Sequence, residues 1–379
     1  MPKQTFRIAL LSDLHAFHPT PSRKDVSFLP SNPQVSDPDP FGTLDDLIKK
    51  ERIVVDLLLC AGDICDKADI RGFQYAWSKL HQLKSALGAT ELIATCGNHD
   101  LNSRHIESHE DPDPKGALQT IAPQFPFDSD DLTNHFWSRN FAISHPYPEV
   151  RVLVLNTSAF HGGKDQELDH GRVSKRTIDA IEKKIKNQQN AALNILLCHH
   201  HVRPLKGLWG TTPDGEYMQK GSELISMLST RTASPWLVLH GHRHIPNLEH
   251  SRDPDYVVIG ASSFSSQSHG KLNQFHILDI EVDISAEQPL KGKIETWSWT
   301  QPSGWQSLEV RSEDEGFPPQ CGFGSRYQPR ATADSLVALI GNTPNFKNWE
   351  EIVSHLPDVE YLTPAQLRCR IPDDRKAVL

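Results

Sequence analysis

Five short clusters of acid, amide and imidazole side chains stand out along this chain. They are Asp13-Leu14-His15, Gly62-Asp63, Gly97-Asn98-His99-Asp100, His199-His200-His201 and Gly241-His242-Arg243-His244. Oxygen and imidazole donors together suit divalent Mn, Fe, Zn or Co, and the six cysteines show no thiolate spacing for a structural zinc site. A two-metal hydrolytic centre holds its ions roughly 3.5–4 Å apart and clamps one phosphoryl group and one water between them. An aspartate is the natural bridge, because its carboxylate has an oxygen for each ion, and an Asn amide oxygen ligates without adding charge. A lone Asp-x-His or Gly-Asp is commonplace. Five such clusters, each directly after an apolar run, are not.

The apolar runs are the elements that must position these groups. Phe6–Leu11, Ile53–Cys60, Glu91–Thr95, Val150–Leu155, Asn194–Cys198 and Trp236–Leu239 are short, aliphatic and bounded by turn residues, so they read as buried strands. Helical spacing falls between them, over Phe73–Leu87, Ser174–Asn187 and Ser222–Ser229. Such alternation argues for a layered α/β domain, and taken alone for a single parallel sheet with its ligands beyond the carboxyl ends of the strands. Asp255–Ile259, Asn273–Ile280 and Lys293–Trp299 read as further strands, some antiparallel. Two long polar inserts, His18–Phe41 and Leu101–Asn134, follow catalytic turns and are expected to rim the site. His105, His109 and Asp111 in the second insert read as a solvated loop.

The ordered set Asp13-x-His15, Gly62-Asp63, Gly97-Asn98-His99-Asp100, His199-His200 and Gly241-His242-x-His244 resembles the calcineurin-like metallophosphoesterase superfamily, over about residues 6–300. The resemblance implies a four-layer α/β fold, a two-sheet β-sandwich flanked by helices, with two divalent metal ions at the strand ends. It assigns Asp13, His15 and His244 to one metal and Asn98, His199 and His242 to the other, with Asp63 bridging. His200 is the alternative to His199. His99 matches the histidine that contacts the phosphate or protonates the leaving group, with Asp100 orienting it. Asn98, His200 and Arg243 join His99 as candidate substrate contacts. Gly62-Asp63-Ile64-Cys65-Asp66 and the histidine triplet resemble the class III cyclic-nucleotide phosphodiesterase branch, which implies a small phosphodiester substrate. Asn156-Thr157 departs from the Asp-Ser pair common there.

Length and charge bound the rest. At 379 residues the chain holds one large domain, read as 1–305, then a linker at 306–330 and a small helical C-terminal segment at 331–379. That segment is too small to bury much core alone, so it is expected either to pack on the main domain or to lead to a partner or further domain. The net charge of -9 gives no general attraction to nucleic acid or to anionic membrane. A nuclease of the same superfamily would need a basic track, and Arg203, Lys206 and Arg243 are scattered. A non-catalytic metal-bound scaffold would have no use for His99. No signal segment or apolar run of spanning length is seen, so a cytoplasmic location is expected.

Overall fold

The structure is a computed structural model. It describes residues 4–23, 26–33, 38–103, 113–162, 168–205, 214–252, 255–267, 271–283, 285–286, 289–310, 315–325, 334–339 and 349–367. His105, His109 and Asp111 lie outside the described residues.

Two mixed sheets carry the fold. The first contains β1 (Gln4–Leu11), β2 (Leu57–Cys60), β3 (Glu91–Ala94), β10 (Asn273–Val282), β11 (Leu290–Thr300) and β12 (Gly304–Gln306), in the order β12-β11-β10-β1-β2-β3. The second contains β4 (Phe141–Tyr147), β5 (Val150–Leu155), β6 (Leu193–Leu197), β7 (Trp236–His240), β8 (Asn247–Arg252) and β9 (Asp255–Gly260), in the order β4-β5-β6-β7-β9-β8. The parallel runs β1-β2-β3 and β5-β6-β7-β9 therefore belong to different sheets, which corrects the single sheet that alternation alone suggested. Strand–helix alternation reports only that neighbours in sequence are parallel. It is silent on where one sheet ends and the next begins.

Burial shows why two sheets form. Val152 and Val154, Ile195 and Leu197, and Leu237 and Leu239 join the core that also holds Ile8, Leu10 and Leu58 of the first sheet. The alternate residues Leu153 and Leu155, Leu196 and Cys198, and Trp236 and Val238 pack in a second core. There they meet Ile178, Ile181 and Ile185 of α5 (Lys175–Lys186) and Leu224, Ile225 and Leu228 of α6 (Gly221–Arg231). Each strand is apolar on both faces because one face meets the other sheet and the other meets helices. On the first sheet the helices are α1 (Pro40–Glu51) and α2 (Ile70–Ala86), capped by Asp39 and Asp69. Helix α1, opening inside the first insert, and α3 (Gly116–Gln119) and α4 (Asp130–Arg139), inside the second, replace what read as loop.

The stretch expected to be a linker contains β13 (Gln320–Phe323), which pairs with β11 in the first sheet. The C-terminal segment docks on this edge. Gly322 N donates to Leu362 O at 2.8 Å and the Tyr361 hydroxyl to Glu281 at 2.9 Å, while the Lys291 ammonium lies 4.0 Å from the Tyr361 ring. A Cβ on residue 322 would lie 2.2 Å from Glu360 O and 2.6 Å from Gly292 O. Gly322→Val is therefore expected to undock the segment. Hydrogen exchange should rise across Pro357–Leu362 while β1 and β2 keep their protection, and unchanged exchange at Pro357–Leu362 would count against this docking.

Candidate metal centre and active site

The carboxyl ends of β1, β2, β3, β6 and β7 meet at one edge of the sandwich, and each opens directly into one of the five clusters. The chain must turn sharply there. Asp13, His15, Asp63, His242 and His244 all adopt positive φ, between 49° and 82°. Left-handed backbone at a non-glycine residue costs about 1–3 kcal/mol, so the turns need support. For the first loop, backbone bonds join Asp13 N to Gly62 O, His15 N to Asp63 O and Ala16 N to Ile64 O. Its carbonyls are held by a belt of serines: Ser263 Oγ donates to Asp13 O at 2.7 Å, Ser265 Oγ to Leu14 O, and Ser27 Oγ to His15 O at 2.9 Å. At about 1 kcal/mol net for each such bond, the belt offsets much of the strain in the two ligand positions. Two glycines permit the close approach of the loops. A Cβ on Gly97 would lie 2.1 Å from Asp63 Oδ1, and one on Gly241 would meet Ser12 Oγ and Asp13 Oδ2.

The side chains then converge. His15 Nε2 and His244 Nε2 are 2.9 Å apart, and Asp13 Oδ1 lies 3.5 Å from His244 Nε2 and 3.9 Å from His15 Nε2. Across the centre, His199 Nε2 is 3.1 Å from Asn98 Oδ1, and a His242 ring nitrogen falls in the same group as His199. Asp63 Oδ2 sits between the two sets, 3.7 Å from His15 Nε2 and 3.3 Å from His199 Nε2. Asp63 Oδ1 accepts His99 N at 2.8 Å. A single carboxylate oxygen of Asp63, Oδ2, thus faces both donor sets, while Oδ1 is taken by the backbone.

Further hydrogen bonds orient these donors. His199 Nδ1 is 2.8 Å from Ala61 O, which makes Nδ1 the donor and leaves the Nε2 lone pair facing inward. Asn98 Nδ2 donates to Leu168 O at 3.1 Å, so its amide oxygen faces His199. His242 N donates to the Asp13 carboxylate at 3.1 Å, tying the last cluster to the first.

Electrostatics show what the pocket is built to hold. Burial pushes Asp13 up to about 7 and His15 down to about 4. At Asp63 burial acts upward, but the surrounding His199, His99 and His15 outweigh it and hold the carboxyl well below its usual range. His199 is the converse: burial acts downward, and Asp63 and Asp13 raise it to about 9. Carboxylates and imidazole lone pairs aimed at one another out of water are costly unless a cation lies between them. The donor set, oxygen and imidazole with one neutral amide, fits divalent metal.

The other expected residues fall out differently. His200 is fully buried, with Nδ1 on Thr157 Oγ1 at 2.7 Å. It is not among the residues that line the mouth, and one of its ring nitrogens falls with those of His199 and His242 in a group that could hold a metal ion. Asp100 was expected to orient His99. Its carboxylate instead accepts Cys65 N and Gly97 N, both at 2.8 Å, which fixes the loops. The ring of His99 is held by Asp66, whose Oδ1 is 2.7 Å from Nδ1. Asp66 lies three residues after Asp63 in the same turn, a spacing that was visible in the sequence. Arg243 lines the mouth with its guanidinium on Glu216. Glu216 Oε2 is also 3.2 Å from His242 Nε2, and Lys271 Nζ donates to Arg243 O at 3.0 Å. Nothing in the local sequence signalled Glu216, Lys271 or the serine belt, because each arrives from a distant loop. The mouth is a cleft of about 420 Å³ bounded by these groups, His99, Asp169 and Val26.

Comparison with known proteins gives the family. The calcineurin-like phosphoesterase family model matches residues 6–246, and the chain belongs to that family. It is thus a metal-dependent phosphoesterase, and its cofactors are divalent metal ions. A second model, described as wHTH-Calcineurin_assc, matches residues 321–368. A probable cyclic nucleotide phosphodiesterase of Xenorhabdus bovienii is 23% identical over 237 residues, covering 61% of this chain and 80% of that protein. Among solved structures, a dimetal phosphatase from Danio rerio aligns with a TM-score of 0.45 at 12% identity, covering 73% of this chain and 95% of that one. Zinc-bound Vps29 from Entamoeba histolytica aligns with a TM-score of 0.33 at 11% identity, covering 78% and 94%. No helix among the described residues is long and apolar enough to cross a membrane.

Metal binding is expected to release protons. At pH 6 the metal-free Asp13, at about 7, and His199, at about 9, both hold protons that ligation must displace, whereas Asp63 is already ionised. Release should shrink as pH rises through 7 and fade only as pH passes 9. Manganese titration calorimetry in buffers of different ionisation enthalpy reads this directly, and proton uptake would contradict it.

Proposed function

We propose that the protein hydrolyses a phosphodiester, a cyclic nucleotide or a related small diester, at a binuclear centre. The ligands are Asp13, His15 and His244 on one side, Asn98, His199 and His242 on the other, with Asp63 between. Two divalent ions bound there supply Lewis acidity to the phosphoryl oxygens and a hydroxide at neutral pH. The observation that carries the reading is the pairing of this donor set with His99 at the mouth, held through Nδ1 by Asp66 at 2.7 Å.

In that arrangement the chain's own groups divide the work. With Nδ1 committed to Asp66, His99 Nε2 is the nitrogen assigned to serve the leaving oxygen. Burial would raise Asp66, but His99, His15 and Arg23 hold it down at about 2, so it stays an acceptor across the working range of pH. Arg243 and Lys271 give the mouth positive charge, and Glu216 and Asp169 set a limit on it. A cleft of about 420 Å³ suits a single small diester, and the acidic pair beside it disfavours a polyanion. These features weigh against a nuclease. A scaffold would need neither His99 nor its Asp66 partner. The name of the Xenorhabdus relative also supports the cyclic-nucleotide reading.

With manganese supplied, cyclic nucleotides or aryl phosphodiesters should be turned over in preference to monoesters and DNA. His99→Ala should lower kcat by about a hundredfold, the usual weight of a general acid. Asp63→Ala should remove both activity and bound metal. Activity on DNA alone would overturn the substrate class, and full activity in His99→Ala would overturn its role.

A further inference from the structure

We propose that Arg23, from the first insert, is a positioning residue that fixes Asp66 on His99. The inference rests on the reading above for its catalytic consequence, but its geometry stands apart from it. The segment 18–23 folds back as a small loop, closed by paired bonds between Thr20 and Arg23 at 3.0 and 3.1 Å. Its guanidinium then reaches into the turn after β2. Nη2 donates to Asp66 Oδ2 at 2.6 Å and to Asp66 O at 2.7 Å, and Nη1 donates to Asp69 Oδ2 at 3.0 Å. Asp69 is itself anchored. Its Oδ2 accepts His18 N at 2.7 Å, and its Oδ1 caps α2 through Arg71 N and Gly72 N. A continuous chain of bonds therefore runs from the N-terminus of α2 through Asp69, Arg23 and Asp66 to the ring of His99.

Three features make a clamp necessary here. Asp66 has two imidazoles to choose between: its Oδ1 is 2.7 Å from His99 Nδ1 but also 3.9 Å from Nδ1 of the ligand His15. Occupying Oδ2 and the backbone carbonyl from the opposite side leaves Oδ1 one orientation, towards His99. The same turn is also strained, since Lys67 and Ala68 follow with φ of 48° and 57°. Finally, Asp66 and Asp69 are two carboxylates, both at most one-tenth exposed, set against one guanidinium. A planar fork spans both and takes the carbonyl as well, which an ammonium at one point cannot do. The insert thus serves the site by its contact with the turn behind the catalytic histidine, in addition to rimming the mouth.

The test uses the full chain with Arg23→Ala, Arg23→Lys and, for assignment, His99→Gln. In metal-free protein labelled with nitrogen-15 at histidine, the Nδ1 proton of His99 should be a protected, downfield signal, absent in His99→Gln. It should broaden or vanish in Arg23→Ala and be partly retained in Arg23→Lys. With manganese bound, Arg23→Ala should lose about tenfold in kcat on diesters with poorly acidic phenol leaving groups, because a misplacement well under 1 Å carries costs of that order. It should lose less than about twofold on a dinitrophenyl diester that needs little proton assistance. KM and bound manganese should be unchanged, and Arg23→Lys should recover part of the loss. An unaltered His99 signal in Arg23→Ala would overturn the proposal. So would an equal loss on every leaving group, or a loss of metal. If the signal responds to Arg23 while His99→Gln leaves turnover intact, the clamp stands and the catalytic role assigned to His99 falls.

Discussion

Asp63 presents one oxygen to donors from both sheets, and much of the structure follows from bringing those donors to it. Oδ2 lies within 3.7 Å of imidazole nitrogens on either side, while Oδ1 is spent on the backbone of the His99 turn. Such a cluster is unfavourable in a low-dielectric interior without cations, so the fold must impose it. It does so with two sheets whose parallel strands end at a common edge. The ligand loops after β1, β2 and β7 are bent into left-handed backbone within a few residues of their strands. Serine hydroxyls, close glycine contacts and cross-loop amides then hold the bends. The interior β-sandwich supplies rigidity for this, since its strands are buried on both faces.

Much of this was legible in the sequence, and the reason is local. Val150–Leu155 and the other strands announce themselves as aliphatic runs, and the donors sit within four residues of the strand ends. The side chains that gather around Asp63, and His99 beside them, could therefore be picked out from spacing together with the family resemblance. What was not legible depends on contacts between distant loops. Alternation gave no sign that β1-β2-β3 and β5-β6-β7-β9 form separate sheets, because both read as buried parallel strands. Asp100 was placed on His99 by adjacency, whereas the turn directs it to the amides of Cys65 and Gly97 and leaves the ring to Asp66. His200 reads as a substrate contact because it neighbours His199, yet all three histidines of the run are buried and its Nδ1 is taken by Thr157.

The inserts and the C-terminal segment show the same limit. The first insert read as a polar loop, but it carries Ser27 of the serine belt, the guanidinium of Arg23 and the start of α1. Its polar composition reflects bonds to backbone and carboxylates rather than solvent alone. The stretch read as a linker includes β13, a four-residue strand too short and too mixed in character to be seen without its partner β11. Through β13 the C-terminal segment is tied to the edge of the first sheet, remote in sequence from every ligand.

The central claim is that the buried donors form one binuclear centre sharing Asp63. Crystals soaked with manganese and measured at the manganese edge test it most directly. The account predicts two anomalous peaks about 3.5–4 Å apart, with Asp63 Oδ2 between them. Asp13, His15 and His244 should surround one peak, and Asn98, His199 and His242 the other. A single peak, or a second peak bound by His200 in place of His199, would contradict it.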